Sequence, residues 1–163
     1  MSVEKDVGTL LKHQRKTIAV AEACTAGMVG FLLTSIPGSS SYFYGGVLCY
    51  ARAVKVNVLG VHSETLATYG SVHRVTALEM ALRVRELCES EIGIATTGVA
   101  GPGGGTSERL SAFSMWQSLP GKDMKNAGSR FSITIVAMQI GKQRRVCRWS
   151  CLRTICRVAH RSA

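Results

Sequence analysis

The sequence predicts an α/β domain, because short apolar strands alternate with helix-period segments along its first two thirds. Three observations carry that prediction. An apolar run, Thr17–Glu22, ends in a turn of small residues and continues as the apolar stretch Met28–Thr34. Arg74–Cys88 repeats its apolar residues at three and four. Glu91–Thr97 is a second apolar run that leads directly into a glycine-rich loop.

The elements follow in order. Val3–Lys16 sets Val3, Val7, Leu10 and Leu11 at helical spacing and closes on basic residues, the charge that suits a helix C-terminus, so a packing helix is expected. Thr17–Glu22 reads as a short buried strand, and Cys24-Thr-Ala-Gly27 breaks it before the Met28–Thr34 helix. Pro37-Gly-Ser-Ser-Ser41 is loop chemistry, Gly45–Ala51 a second buried strand, and Ala53–Leu59 a short helix stopped by Gly60. Ser63 is expected to cap a short helix that carries Leu66 and Tyr69 and ends at Gly70. In Arg74–Cys88, Val75, Leu78, Ala81, Leu82, Val84, Leu87 and Cys88 form the apolar set and leave Glu79, Arg83 and Glu86 for water. Glu91–Thr97 is the third strand, and no internal repeat is visible.

With 163 residues, 46% hydrophobic and 18% charged, the chain has apolar material for one core. The N-terminus is mixed in charge and the early apolar run Met28–Leu33 is too short for a signal core or a membrane span, so a cytoplasmic protein with no membrane partner is expected. The net charge of +10 is divided unevenly. Residues 1–108 carry nine Lys/Arg and nine Asp/Glu, whereas residues 109–163 carry eleven Lys/Arg against Asp123 alone. Cysteine divides likewise, with Cys147, Cys151 and Cys156 bunched in the second part. Together with His160 they supply four zinc-type ligands, but the spacing lacks the Cys-x-x-Cys knuckle of structural zinc, so incidental reduced thiols are expected. Beyond Arg109 the periodicity dissolves apart from the apolar run Ile133–Ile140. Gln143–Arg153 can be written as a basic helix, although its arginines surround the wheel.

Several residues can carry chemistry. The loop Gly98–Thr106 follows a buried strand, so its backbone N–H groups can turn toward an anion such as phosphate. It matches neither the Walker nor the dinucleotide spacing, and a flexible turn without ligand is the alternative. Ser39, Ser40 and Ser41 precede Tyr50 and Lys55 across one strand. A desolvated lysine can act as base toward a serine hydroxyl, while the alternative is an ordinary turn followed by a solvated lysine. Glu22, at the end of a buried strand, either binds a polar ligand or caps the next turn. His13, His62 and His73 are isolated from any ligand-spaced partner, so no metal is assigned to them.

Taken in order, Ala21-Glu-Ala-Cys-Thr-Ala-Gly27, Ile36-Pro-Gly-Ser-Ser-Ser-Tyr-Phe43, Gly45-Gly46, Tyr50-Ala-Arg-Ala-Val-Lys55, Leu59-Gly-Val61 and Thr97-Gly-Val-Ala-Gly-Pro-Gly-Gly-Gly-Thr106 resemble the CinA C-terminal-domain family over about residues 5–108. The resemblance implies a three-layer α/β/α sandwich, a homo-oligomer when the fold is complete, and a serine amidohydrolase without metal or other cofactor. The implied substrate is a small nucleotide, nicotinamide mononucleotide, converted to nicotinic acid mononucleotide and ammonia. It places the nucleophile on Ser40 and the general base on Lys55, with Tyr50 assisting. Glu22, Thr25, Thr97, Gly98, Gly101, Gly103 and Gly104 fall on positions expected to hold the substrate, and a backbone N–H beside Ser40 is expected to serve the oxyanion. Two departures stand out. Ala23 replaces a common serine, and Arg52 replaces a common asparagine. A cation at Arg52 favours neutral Lys55, and it equally stands where a substrate could be obstructed.

Past Thr106 the family's next strands, Asp-Arg turn and closing helix are missing. Back-translating Ser111 onward and reading one nucleotide earlier gives Val-Gly-Leu-Gln-Tyr-Val-Ala-Val-Ala, then an Asp-Arg turn and an Ala/Leu-rich segment, with permissible codons. The expected organisation is therefore an incomplete amidohydrolase domain over residues 1–108 and a basic, out-of-frame tail over residues 109–163, disordered or poorly packed. Two other readings stand beside the enzyme. One is a non-catalytic remnant or subunit. The other is nucleic-acid binding through the tail, with Trp116 or Trp149 stacking on bases; it rests on the tail alone, so no nucleic-acid partner is expected. Sequencing the genomic template across codons 105–115 is expected to reveal one additional nucleotide, and an unbroken frame there would refute the frame change.

Overall fold

The computed structural model describes residues 3–98, 135–140 and 143–147. Helix α1 (Val3–His13) leads into strand β1 (Ile18–Glu22), α2 (Met28–Thr34), a 3-10 turn (Ser39–Ser41) and β2 (Phe43–Leu48). Helices α3 (Arg52–Asn57), α4 (Ser63–Tyr69) and α5 (Arg74–Leu87) precede β3 (Ile92–Thr97), and β4 (Ile135–Ile140) and β5 (Gln143–Cys147) complete a five-stranded sheet of order β2-β1-β3-β4-β5. β1 pairs in parallel with β2 on one side and with β3 on the other, while β4 and β5 add antiparallel. This is the α/β class expected.

All five residues of β1 are buried, and their alternation divides the core in two. Ile18 and Val20 join Val7, Leu11, Leu33, Tyr42, Ile92 and Ile94 on the α1/α2 side. Ala19 and Ala21 join Ala77, Met80, Ala81, Val84 and Ala95 on the α5 side. Helices therefore cover both faces of the sheet, as an α/β/α arrangement requires. The start of β1 is tied to the start of β3 by Glu91, which accepts from Lys16 Nζ at 2.6 Å and from the Thr17 amide at 2.9 Å. Partial burial pushes the Glu91 carboxyl up, but the bonds from Lys16 and Thr17 outweigh it and hold the group below its ordinary range.

Four expectations are corrected. First, β2 begins two residues early and is the edge strand of the sheet among the described residues. Tyr44, Gly46 and Leu48 are exposed, and the register slips between Ile18 and Ala19 so that Tyr44 is bulged out of the ladder. Second, the α5 stripe facing the sheet is Thr76, Ala77, Met80, Ala81 and Val84, with Val75, Leu78 and Leu82 half-buried and Leu87 exposed. The reason is close approach at Gly93, where a Cβ would lie 2.0 Å from the Ala81 carbonyl oxygen, so small side chains rather than leucines meet the strand. Third, Ser63 is the first residue of α4 and His62 occupies the cap position. Fourth, residues 143–147 form a strand. Backbone pairing joins Ile135–Ile140 to β3 and Gln143–Cys147 to β4, so the latter is a strand and not a basic helix. The apolar run Ile133–Ile140 supplies the strand that the open side of β3 calls for.

A Gly93→Ala variant is expected to lose about 3 kcal/mol by overpacking, read as a lower urea midpoint at unchanged slope. An unaltered midpoint would contradict the close seating of α5.

Candidate functional site

Three parallel strands end at one edge of the sheet, and the crossovers leaving β1 and β2 run to opposite sides of it. In open α/β sheets that switch point is where ligands bind. Glu22, Cys49, Thr96 and Thr97 lie at these strand ends, and all four are buried.

Glu22 accepts four hydrogen bonds. Its Oε2 accepts from the Thr25 hydroxyl at 2.5 Å and from the amides of Gly27 and Val29 at 3.0 and 3.1 Å, and its Oε1 accepts from the Gly30 amide at 2.8 Å. These are the free N–H groups at the start of α2, where a negative side chain is stabilising. Glu22 belongs to the same face of β1 as Ile18 and Val20, so the strand's own alternation delivers it beneath α2. It caps α2, one of the two roles that the sequence leaves open. Thr25 donates its hydroxyl hydrogen bond to Glu22 and therefore accepts from Thr96, whose hydroxyl lies 2.6 Å away. Thr97 is likewise engaged, donating to the Ser71 carbonyl at 2.7 Å.

Lys55, on α3, is 1% exposed. Its amine reaches back to the end of β2 and donates to the Cys49 carbonyl at 2.6 Å and the Tyr50 carbonyl at 3.0 Å. Burial pushes the Lys55 amine below the ordinary lysine value, outweighing the opposing influence of the Cys49 and Cys24 thiols. Arg52 is exposed at the start of α3 and is not among the causes of that shift. A neutral amine has two N–H groups and one lone pair, so both carbonyls can be satisfied while the lone pair stays open to a proton. The same bonds also anchor the strand end. The Tyr50 side chain is exposed, and burial pushes the neighbouring Cys49 thiol up, which makes it a poor nucleophile.

Ser40 lies elsewhere. It is exposed in the 3-10 turn before β2, and its hydroxyl has no partner among the described residues. The turn is held near α1, where Lys12 Nζ donates to the Pro37 carbonyl at 2.5 Å. Lys55 meets the chain just after β2, so the whole of Phe43–Leu48, roughly 17 Å of extended backbone, separates the two residues. Adjacency in sequence across a strand places them at its opposite ends, and one protomer does not bring the pair together. Nor are the flanking amides ready oxyanion donors, since Ser39 N–H and Ser41 N–H already donate to the carbonyls of Ile36 and Gly38. Gly98 directly follows β3, whereas Gly101, Gly103 and Gly104 lie outside the described residues, as do the tail's Trp116 and Trp149.

Sequence reasoning missed the Cys49 and Tyr50 carbonyls, which no side-chain pattern announces, and the Thr96 link. It also missed His73, whose Nδ1 accepts from the Val75 amide at 3.2 Å and caps α5. His62 bonds Glu79 through both its ring and its amide. No cluster with metal-ligand character occurs among the described residues, and no described helix is long and apolar enough to cross a membrane.

Residues 1–113 match the CinA C-terminal domain. The chain belongs to that family. Among curated relatives it is 49% identical over 107 residues to a CinA-like protein of Amoebophilus asiaticus, covering 66% of this chain and 26% of that one. It is 52% identical over 103 residues to a CinA-like protein of Synechocystis, covering 63% and 25%. The chain thus spans about a quarter of the length of these relatives. A solved competence/damage inducible protein, CihA, from Agrobacterium tumefaciens superposes with TM-score 0.71 at 26% identity, over 99% of this chain and 97% of that one. The competence damage-inducible protein A from Klebsiella pneumoniae gives 0.73 at 22%, over 98% and 89%, and speaks for the fold alone.

Glu22→Gln would set an NH2 group against amide donors. It is expected to cost about 1–3 kcal/mol and to reduce amide-exchange protection in the first turn of α2. Protection equal to the parent would exclude the cap.

Proposed function

We propose that the site at the carboxyl ends of β1–β3 serves an amidohydrolase reaction on nicotinamide mononucleotide, releasing ammonia and nicotinic acid mononucleotide. The observation that carries this reading is the buried amine of Lys55, shifted toward its neutral form and aimed along the carbonyls that end β2. Family membership supports it, because the serine and lysine stand at the family's spacing.

In the proposed chemistry the Ser40 hydroxyl of a second copy attacks the carboxamide carbon while the neutral Lys55 amine takes its proton, since within one protomer the two stand a strand length apart. The tetrahedral intermediate collapses with cleavage of the C–N bond. Lys55 returns the proton to the departing nitrogen, and ammonia leaves. Water then attacks the acyl-serine with Lys55 again as base, which frees the carboxylic acid and restores the hydroxyl. Gly98 and the glycines beyond it would cradle the nucleotide phosphate through backbone N–H groups. No metal or cofactor enters the scheme. The separation of Ser40 from Lys55 within one protomer favours a second reading, a non-catalytic remnant, which the same assay decides.

Because the base must be neutral, kcat/KM for ammonia release is expected to rise with pH through a midpoint below the ordinary lysine range. Lys55→Met should lower the rate by about 10²-fold or more. Stability gives an independent check. An amine whose folded pKa lies below its unfolded one binds more protons when unfolded, so the parent loses stability as pH falls through that window. The Met variant should lack that loss. A parent without ammonia release, or a Met variant with full activity, would overturn the proposal.

A further inference from the structure

Ser40 stands exposed on a short 3-10 turn, and the chain on both sides of it is fastened. Ser39 donates to the Thr34 carbonyl at 3.3 Å and Ser41 to the Gly38 carbonyl at 2.9 Å, so of the three serine hydroxyls only that of Ser40 has no partner among the described residues. Tyr42, two residues on, is fully buried. Its amide donates to the Ser39 carbonyl at 3.0 Å and closes the turn, and its carbonyl accepts from the Ile18 amide at 2.8 Å at the start of β1. Its hydroxyl donates to the Leu33 carbonyl at 2.7 Å, near the end of α2. The ring also meets α1. A Cβ on Gly8 would stand 3.0 Å from the Tyr42 hydroxyl oxygen, so glycine there leaves the room that the phenol takes. Lys12, four residues along the same helix face, donates from Nζ to the Pro37 carbonyl at 2.5 Å and lies 5.9 Å from the centre of the Tyr42 ring.

We propose that Tyr42 is a positioning residue for the Ser40 nucleophile: together with Lys12 it clamps the serine turn on both flanks and so fixes where that hydroxyl stands. The inference rests on the amidohydrolase reading for what Ser40 does, and on the fold for how it is held. A three-residue turn kept by i→i+3 bonds is weak by itself. A reacting group displaced by about 1 Å can lose about 10²-fold in rate, so the place of an exposed hydroxyl has to come from buried neighbours. Tyr42 is such a neighbour, and its hydrogen bond is specific. The residue four beyond Leu33 is Pro37, which has no N–H to give, so the Leu33 carbonyl lacks its intrahelical donor and the Tyr42 hydroxyl supplies one. The bond therefore joins the far side of the serine turn to the end of α2. Lys12 holds the near side through the Pro37 carbonyl, which makes α1 part of the support of the site. Phenylalanine would fill the same space without that bond, so packing and positioning can be separated.

Tyr42→Phe decides it. With circular dichroism unchanged, kcat for ammonia release from nicotinamide mononucleotide should fall about tenfold while KM stays within about twofold, because the serine and not the substrate has lost its place. A merely structural tyrosine would lower the urea midpoint and leave kcat intact well below unfolding, and that result overturns the proposal. Lys12→Met should act in the same direction. The double variant should lose less than the product of the two single losses, since both act through one turn; independent, multiplying losses count against a shared clamp. Hydrogen exchange gives a readout that needs no activity. The Ser41 and Tyr42 amides, which donate to the Gly38 and Ser39 carbonyls, should exchange about tenfold faster in Tyr42→Phe, with the first turn of α2 unchanged. Unaltered exchange there overturns the clamp even when the parent releases no ammonia. Faster exchange in a chain whose parent is inactive sustains the clamp and refutes only the assigned reaction.

Discussion

The carboxylate of Glu22 ties the end of β1 to the first turn of α2. It is buried at the end of the central strand, and every bond it accepts comes from the turn and first residues of α2. Through Thr25 and Thr96 the same group extends to β3. Hydrogen bonds to a charged group contribute more than neutral ones, so a small polar cluster fixes the angle at which α2 leaves the sheet. That angle sets where the helix ends. The Tyr42 hydroxyl donates to the Leu33 carbonyl at 2.7 Å and so fastens the chain beyond the serine turn to the end of α2. Capping at one end of the sheet and placement of Ser40 at the other are thus mechanically linked through a single seven-residue helix.

Lys55 illustrates a different balance. A lysine buried to 1% exposure costs the protein the hydration of its ammonium. Two carbonyls answer part of that cost, and the depressed pKa answers the rest by making the neutral form accessible. The arrangement has structural value, since it closes off the end of β2, and it prepares a base. Neither role excludes the other, and both arise from the same short reach back from α3.

Much of the fold was legible in the residues. The three parallel strands and the helices between them follow from period and punctuation, and α5 was found within one residue of each end. The misreadings share a physical cause. Burial along α5 was assigned by hydrophobicity, whereas close approach at Gly93 selects residues by size. β2 looked buried because Val47, Leu48 and Cys49 are apolar, and nothing in a single strand says whether a neighbour lies on both sides of it. At the site, the sequence singles out Glu22 and Lys55, and both are buried, but which partners they meet depends on backbone groups brought in by other elements. The spacing from Ser40 to Lys55 suggested contact, and an extended strand turned that spacing into distance. The solved relatives superpose over nearly the whole chain, although the family match stops at residue 113.

The strand order also bears on synthesis. β1 leaves the ribosome first among the strands and ends inside the sheet, between β2, which follows it directly, and β3, which arrives only after α5. α1, β1, α2 and β2 can associate early as one local unit, yet the apolar layer beneath α1 and α2 also draws on Ile92 and Ile94, and the layer beneath α5 draws on Ala95. A nascent chain therefore carries an open, alanine-lined face of β1 until α5 and β3 have emerged. Translation speed between residues 48 and 92, rather than the final stability of the sheet, sets how long that face stays uncovered.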